Sequence, residues 1–113
     1  MAIKKNRESK IPEVIQEQVT KIVLRFNKQV LKPPDYRYVP RFEENYLFLD
    51  RYEFGRLSPI CRLKYHGQME NWGFAIYRYS IDRYDPEEWW FPGSELVDGT
   101  VEGAMKAGLE AYK

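Results

Sequence analysis

Histidine and cysteine most often supply the nucleophile, base or metal ligand of a site, and this chain has one of each, Cys61 and His66. A nucleophile and its base must lie within hydrogen-bond reach of each other. Residues five apart on one strand point to opposite faces, so these two side chains should not meet directly. A lone histidine also lacks the spacing of a zinc site. The sequence therefore predicts a turn histidine and a small buried cysteine.

Acidic residues between positions 82 and 98 form a second candidate site. The carboxylates are Asp82, Asp85, Glu87, Glu88, Glu95 and Asp98. They lack the ligand spacing of a calcium loop, and no partner residue is visible for paired acid and base chemistry. The chain has neither a glycine-rich phosphate loop nor a Gly-x-Ser-x-Gly elbow. We therefore expect a solvated loop, with no catalytic residue, metal site or cofactor, and an enzyme is the less favoured interpretation.

Aromatic residues interleaved with basic ones form the third candidate. They make up 16% of the 113 residues, and side chains alternate between the two faces of a strand. This alternation predicts a core face of Leu47, Leu49, Cys61, Leu63, Phe74 and Ile76. It predicts a second face of Tyr46, Phe48, Tyr52, Arg62, Lys64, Tyr77 and Tyr79.

The second face has more than one interpretation. Aromatic side chains beside basic groups can stack unpaired bases while neutralising phosphates. The same residues can instead lie under the C-terminal helix or a second subunit, because tyrosine is favoured in strands and at interfaces. A separate and weaker alternative is a small-molecule pocket lined by Trp72, Trp89 and Trp90.

Two helices and three or four strands should position these residues in an α+β fold. Apolar residues recur every three or four positions from Ile11 to Val30, which predicts a long helix that begins at Pro12. The pair at 33–34 should end it. Residues 1–10 are expected to be a mobile basic tail, and residues 11–113 a single domain.

An antiparallel meander should follow the first helix. Its strands lie around residues 45–54, 60–67 and 72–80, and the earlier segment YRYVPRF, which contains Pro40, is expected to be an edge strand or an extended arm. Residues 81–99 should be a long connection. Thr100 is placed to cap a final helix, whose small residues form a surface for close packing against a sheet or another helix. Those residues are Ala104, Ala107, Gly108 and Ala111.

Charge is balanced overall but uneven along the chain. The formal net charge is +1, with +5 in residues 1–32 and −5 in residues 82–113. This asymmetry predicts that the basic part packs beside the acidic part, within one chain or head to tail between two. The near-zero total disfavours general phosphate binding. A single cysteine and the lack of an apolar run of roughly 18 residues favour the cytoplasm and no membrane span.

Several short stretches carry a resemblance to known proteins. They are PICRLKY, WGFAIYRYS, RYDP, FPG and DGTVEGAMKAGLEAY. On these stretches the chain resembles a family of short prokaryotic proteins that has no assigned activity. The resemblance implies a stand-alone cytoplasmic α+β domain, and it supplies no catalytic or binding residues that could be assigned to this chain.

These patterns favour a non-enzymatic interaction module over an enzyme. We expect it to self-associate as a homodimer or to bind a protein partner, through the tyrosine-rich second face or the small-residue helix. The alternative is single-stranded nucleic-acid binding by six side chains of the second face. These are Tyr46, Tyr52, Arg62, Lys64, Tyr77 and Tyr79.

Overall fold

A computed structural model of the protein describes residues 10–32 and 36–113. The first helix, α1, spans Glu13–Phe26 and continues as a π-helical turn, Asn27–Leu31. Five strands follow, β1 (Tyr36–Glu43), β2 (Tyr46–Glu53), β3 (Arg56–Lys64), β4 (Gly73–Arg78) and β5 (Arg83–Asp85). A short 3-10 turn, Ser94–Leu96, precedes the last helix, α2 (Val101–Ala111).

The strands form one antiparallel sheet in sequence order, β1-β2-β3-β4-β5. The predicted α+β class is therefore confirmed, but there are five strands rather than three or four. The additional strand is β5, which lies inside the segment expected to be a long connection and pairs with the end of β4. Apart from Lys10, the predicted tail lies outside the described residues, as do the two prolines expected to end the first helix.

Helix α1 packs through a narrower stripe than the apolar spacing predicted. Val19, Val23 and Phe26 are buried, whereas Val14 and Val30 are 58% and 50% exposed. Val30 belongs to the π-helical turn, where the 3.6-residue period no longer applies. Val14 lies five residues before Val19, and at about 3.6 residues per turn this spacing places it away from the buried side. The period therefore identified the helix but overestimated its buried side.

Asn27 of the π-helical turn, which is 4% exposed, binds edge strand β1 through two side-chain hydrogen bonds. The Asn27 Nδ2 amide donates to the Tyr38 carbonyl at 3.0 Å, and the Tyr38 amide donates to Asn27 Oδ1 at 2.8 Å. An edge strand otherwise presents unpaired backbone groups that can pair with another chain. At Tyr38 these groups are already satisfied.

Helix α2 covers the core face of the sheet, with Thr100 as the predicted N-cap, accepting from the Gly103 amide at 3.0 Å. A Cβ on Gly108 would lie 2.5 Å from Tyr38 Oη and 2.6 Å from Ile60 Cγ2. The Tyr38 hydroxyl donates to the Met105 carbonyl at 2.7 Å. The small residues therefore let the helix approach the sheet closely. The alternative that α2 covers the second face is wrong.

All six predicted core-face residues are buried. One residue departs from the alternation because β3 contains a bulge. Leu49 pairs with Cys61 and Asp50 pairs with Pro59, so Ile60 has no partner on β2. A bulge places two residues opposite one, and Ile60 joins the core at 2% exposure.

The core face also buries one charge, Arg51, which is 3% exposed. Its Nε donates to Glu53 Oε2 at 2.9 Å, and its guanidinium also bonds to the Gly108 and Tyr112 carbonyls at the end of α2. The last carbonyls of a helix have no partner within the helix. Arg51 therefore satisfies the end of α2 and fixes it to the sheet. Within the described ranges, no helix has both the length and the apolar character needed to cross a membrane.

The open sheet face as a candidate binding site

The sheet face opposite the two helices is called the open face here. Cross-strand partners share a face, so the strand register assigns its members. They are Arg37, Val39, Arg41, Glu43, Tyr46, Phe48, Asp50, Tyr52, Leu57, Pro59, Arg62, Lys64, Gly73, Ala75, Tyr77 and Tyr84. No helix of the described chain forms a layer over them, and most of these side chains remain half-exposed.

Arginines on this face lie against aromatic rings. The guanidinium carbons of Arg37, Arg41 and Arg62 lie 4.3, 4.3 and 4.5 Å from the ring centroids of Tyr52, Phe48 and Tyr46, respectively. Cation–π contacts of this kind restrict the long arginine side chain. The outer surface of the face is therefore made of positioned guanidinium groups on an aromatic base.

Tyrosines extend the aromatic base toward β5. The Tyr84 ring lies 5.3 Å from Phe48 and 5.0 Å from Tyr77, and Tyr77 lies 4.9 Å from Tyr79. Burial, followed by the charge of Asp50, raises the pKa of Tyr84 to about 12. A hydrogen bond to Asp82 is the main cause that raises the pKa of Tyr77 to about 12. Both phenols are therefore neutral donors at physiological pH.

Asp50 is the one open-face acid that is buried, at 6% exposure. Its Oδ2 lies 3.5 Å from Arg41 Nε, while its Oδ1 has no hydrogen-bond partner among the described residues. Burial raises the pKa of this carboxyl, and the Arg41 charge only partly opposes that effect. Asp50 therefore adds little accessible negative charge to the face.

A trench crosses the open face above Gly73 and Ala75 of β4. These residues pair with Lys64 and Arg62 of β3, whose long side chains form one wall. His66 lies at one end, with its Nε2 3.2 Å from the position that a Cβ on Gly73 would take. The cavity has a volume of about 320 Å³ and is lined by Tyr46, Arg62, Lys64, His66, Gly73, Phe74, Ala75 and Pro86. It exists because two small residues follow each other on one face of the strand.

The structure brings together five of the six residues predicted for the interaction face. These are Tyr46, Tyr52, Arg62, Lys64 and Tyr77. The sixth, Tyr79, lies beyond the end of β4, where its hydroxyl donates to the Pro59 carbonyl at 2.6 Å and its ring contacts Tyr112. Tyr79 therefore lies at the margin of the face.

The members of the site that sequence reasoning missed include Arg37, Arg41, Tyr84 and His66. Alternation within YRYVPRF would have placed Arg37 and Arg41 on one face, had that segment been read as a paired strand. Tyr84 had no local signal, because its strand is three residues long. His66 joins the trench only because the chain turns back after β3.

The three tryptophans occupy separate surroundings. Trp72 is 4% exposed and its ring lies 5.0 Å from Tyr65. Trp89 is 45% exposed and its ring contacts Phe74, whereas Trp90 is 94% exposed. A side chain as exposed as Trp90 cannot line an enclosed cavity with a core residue such as Trp72. The three therefore do not form one pocket.

Cys61 lies in the core, where burial raises the pKa of its thiol, whereas His66 borders the open-face trench. Within the described part of the chain, no group of three or more His, Cys, Asp or Glu residues is placed to hold a metal. Comparisons with protein-family models, curated proteins and solved structures find no match for this chain. The likeness to short prokaryotic proteins therefore stays a prediction.

Proposed function

We propose that this protein binds single-stranded nucleic acid through the open face. The observation that carries the proposal is the set of arginines held against aromatic rings on a sheet face that no described helix covers. Unpaired bases stack on aromatic rings and on guanidinium planes, and the same guanidinium groups bind phosphates. Both kinds of surface are present on this one face.

Charge supports a polyanionic ligand. The face carries four Lys or Arg side chains, namely Arg37, Arg41, Arg62 and Lys64, against two acids, Glu43 and Asp50. Asp50 is buried and its pKa is raised, while Glu43 is paired with Arg41 at 3.0 Å. No carboxylate of the described residues forms an ion pair with Arg62 or Lys64, and these two charges favour a ligand that carries phosphate groups.

Self-association through this face is less favourable. A two-fold dimer places the same patch of both copies together, and because this patch carries more Lys and Arg than acidic side chains, the two copies would repel each other. The other predicted route, the small-residue side of α2, is already used against Tyr38 and Ile60. These two facts move nucleic-acid binding ahead of homodimer formation.

Protein binding is the second candidate function, and it rests on a different region. Trp90 is 94% exposed and Trp89 is 45% exposed, within a segment rich in carboxylates. Exposed tryptophan is enriched among the residues that dominate protein interfaces. A partner with a basic surface fits this segment, and a second copy bound head to tail is one such partner. In either function the protein is proposed to act in the cytoplasm.

The nucleic-acid proposal is tested by fluorescence anisotropy with labelled single-stranded and duplex oligonucleotides at two salt concentrations. A double variant, Arg37→Gln with Arg41→Gln, removes two open-face charges. We expect binding to weaken about tenfold or more, and the salt slope to fall by roughly two, because each phosphate contact contributes about one. The matched control, Lys21→Gln with Lys28→Gln, removes two exposed charges from the helical side. Equal losses in both variants, or no binding at low salt, would contradict the proposal.

The second candidate is tested by sedimentation velocity across micromolar concentrations. Head-to-tail association should raise the sedimentation coefficient with concentration, and Trp90→Ala should abolish that rise. A coefficient that does not change with concentration, together with unchanged oligonucleotide binding in Trp90→Ala, would leave nucleic-acid binding as the better supported function.

A further inference from the structure

The open-face trench contains basic side chains without acidic partners. Among the described residues, no carboxylate forms an ion pair with Arg62, Lys64 or His66, whereas Arg41 on the same face pairs with both Glu43 and Asp50. We propose that the trench binds the phosphate of one nucleotide, and that in a bound strand this is the terminal nucleotide. This inference rests on the proposed function and assigns a specific subsite to it.

Arg62 is the best positioned phosphate ligand in the trench. Its guanidinium carbon lies 4.5 Å from the Tyr46 ring centroid and 5.4 Å from that of Tyr84. Contacts with two rings restrict the side chain before any ligand arrives, which lowers the entropic cost of binding. A guanidinium group also presents paired donors that match two oxygens of a phosphate.

Lys64 and His66 add two further nitrogen groups at the other end of the wall. Lys64 pairs across the strands with both Tyr46 and Gly73, and the His66 ring lies above Gly73. A terminal phosphate monoester carries between one and two negative charges near pH 7, whereas an internal diester carries one. Three neighbouring nitrogen-bearing side chains fit the more highly charged group.

The position of the trench at the end of the sheet suits the terminal nucleotide of a bound nucleic-acid strand. Gly73 is the first residue of β4 and Lys64 is the last of β3, so the trench lies where the sheet ends. Pro86, directly after β5, also lines the cavity. A nucleic-acid strand that follows the open face therefore reaches a basic cavity at this corner of the sheet.

The floor of the trench leaves room for a sugar or a base beside the phosphate. Gly73 has no side chain and Ala75 has one methyl group, while the cavity of about 320 Å³ matches the lower range of small-ligand sites, roughly 300 Å³. A larger residue at position 73 would fill this volume without changing any charge. That property separates a shaped subsite from general electrostatic attraction.

The single histidine of the chain gives a direct readout, because its imidazole protons are unambiguous in a proton NMR spectrum. The wild-type protein is titrated with uridine 5′-monophosphate, uridine and inorganic phosphate in separate experiments. We expect a saturable shift of the His66 signals with the monophosphate, about tenfold weaker binding of inorganic phosphate, and no saturable shift with uridine.

Two variants test the trench itself. Gly73→Val fills the floor with a residue suited to strands, and the nearest obstacle is the tip of the exposed His66 side chain. Lys64→Met removes one charge and keeps the length of the side chain. Each should weaken binding of the monophosphate about tenfold. The control Lys21→Met, on α1, should not change it, and urea unfolding of all three variants confirms that they fold.

Oligonucleotides with and without a terminal phosphate link the trench to the strand. We expect the phosphorylated strand to bind about tenfold more tightly and Gly73→Val to remove that difference. The absence of a His66 shift with the monophosphate, or an equal shift in Lys64→Met, overturns the trench even where oligonucleotides bind. A monophosphate shift in a protein that binds no oligonucleotide instead overturns the proposed function and supports the trench as a mononucleotide site.

Discussion

The two faces of the sheet are built from the same strands but are used differently. On the core face, Leu47, Leu49 and Leu63 are essentially fully buried beneath two helices. On the open face, Tyr46 and Tyr52 are half-exposed, and an arginine guanidinium group lies over the ring of each. An antiparallel sheet can have one buried and one solvated face. The burial that stabilises the fold is therefore concentrated on one side, and the other side stays partly exposed to solvent.

The buried charge on each face shows the same contrast. Arg51, on the core face, bonds to a carboxylate and to two backbone carbonyls. On the open face, Asp50 forms an ion pair with Arg41 through Oδ2. Its Oδ1 has no hydrogen-bond partner among the described residues. A buried polar atom without a hydrogen bond costs stability. Of the two buried charged groups, the one on the core face is therefore the better satisfied.

The largest expected effect comes from removing matched side chains on opposite faces of β2. Leu49→Ala should lower the free energy of unfolding by about 3 kcal/mol, because it leaves a cavity in a fully packed region. Tyr52→Ala should cost only about 1 kcal/mol, from one cross-strand pair and one cation–π contact. Urea unfolding measures both. Equal losses would remove the distinction between the faces.

The next effect tests how closely α2 approaches the core face. Gly108→Ala should destabilise the protein by about 2 kcal/mol, because the new Cβ would overlap Tyr38 and Ile60 by more than the helix propensity of alanine offsets. Lys106→Ala, on the exposed side of the same helix, should change stability by less than about 0.5 kcal/mol. Thermal or urea unfolding measures both, and a stabilised Gly108→Ala variant would refute the close packing.

A smaller effect of opposite sign is expected on the open face. Asp50→Asn should raise the free energy of unfolding at pH 7 by about 1 kcal/mol, because it removes a buried charge that is incompletely paired. The folded-state pKa of Asp50 is raised above the unfolded value, so the folded wild type binds this proton more tightly. The contribution of Asp50 to the stability of the wild-type protein therefore falls as the pH rises from the unfolded-state pKa through the folded-state pKa of this carboxyl.

Urea unfolding of both proteins from about pH 4 to about pH 8, the range in which carboxyl groups with raised pKa values titrate, isolates the Asp50 contribution as a difference. The advantage of Asp50→Asn should be greatest at the upper end and should shrink as the wild-type carboxyl becomes protonated. An advantage that is constant with pH would show that the carboxyl charge is not its cause.

The smallest effect on stability should accompany a clear effect on binding. Arg62→Lys keeps the charge but loses the planar group that lies on Tyr46, so unfolding should change by less than about 0.5 kcal/mol. Oligonucleotide affinity should fall about threefold, because lysine cannot reproduce stacking or paired donors. Anisotropy titration measures it. Unchanged affinity would mean that the open face supplies only charge.

Alternation along β2, β3 and β4 was sufficient to identify the six core residues and most of the second face, because strand side chains have a strict period of two. It failed at Ile60, where the bulge inserts a residue. It also failed to find β5, because three residues carry no periodic signal. Grouping the tryptophans uses residue type alone, and the fold separates buried Trp72 from exposed Trp90.

Local chemistry of the chain therefore determined the helices, the N-cap at Thr100, the meander and the division of its strands into two faces. These features depend on neighbours a few residues away. Only the tertiary structure decided that both helices lie on one face, that Arg41 pairs with Asp50, and that a trench forms above Gly73. Those outcomes depend on contacts between residues distant in sequence, and several arrangements of the same elements satisfy the local pattern equally well.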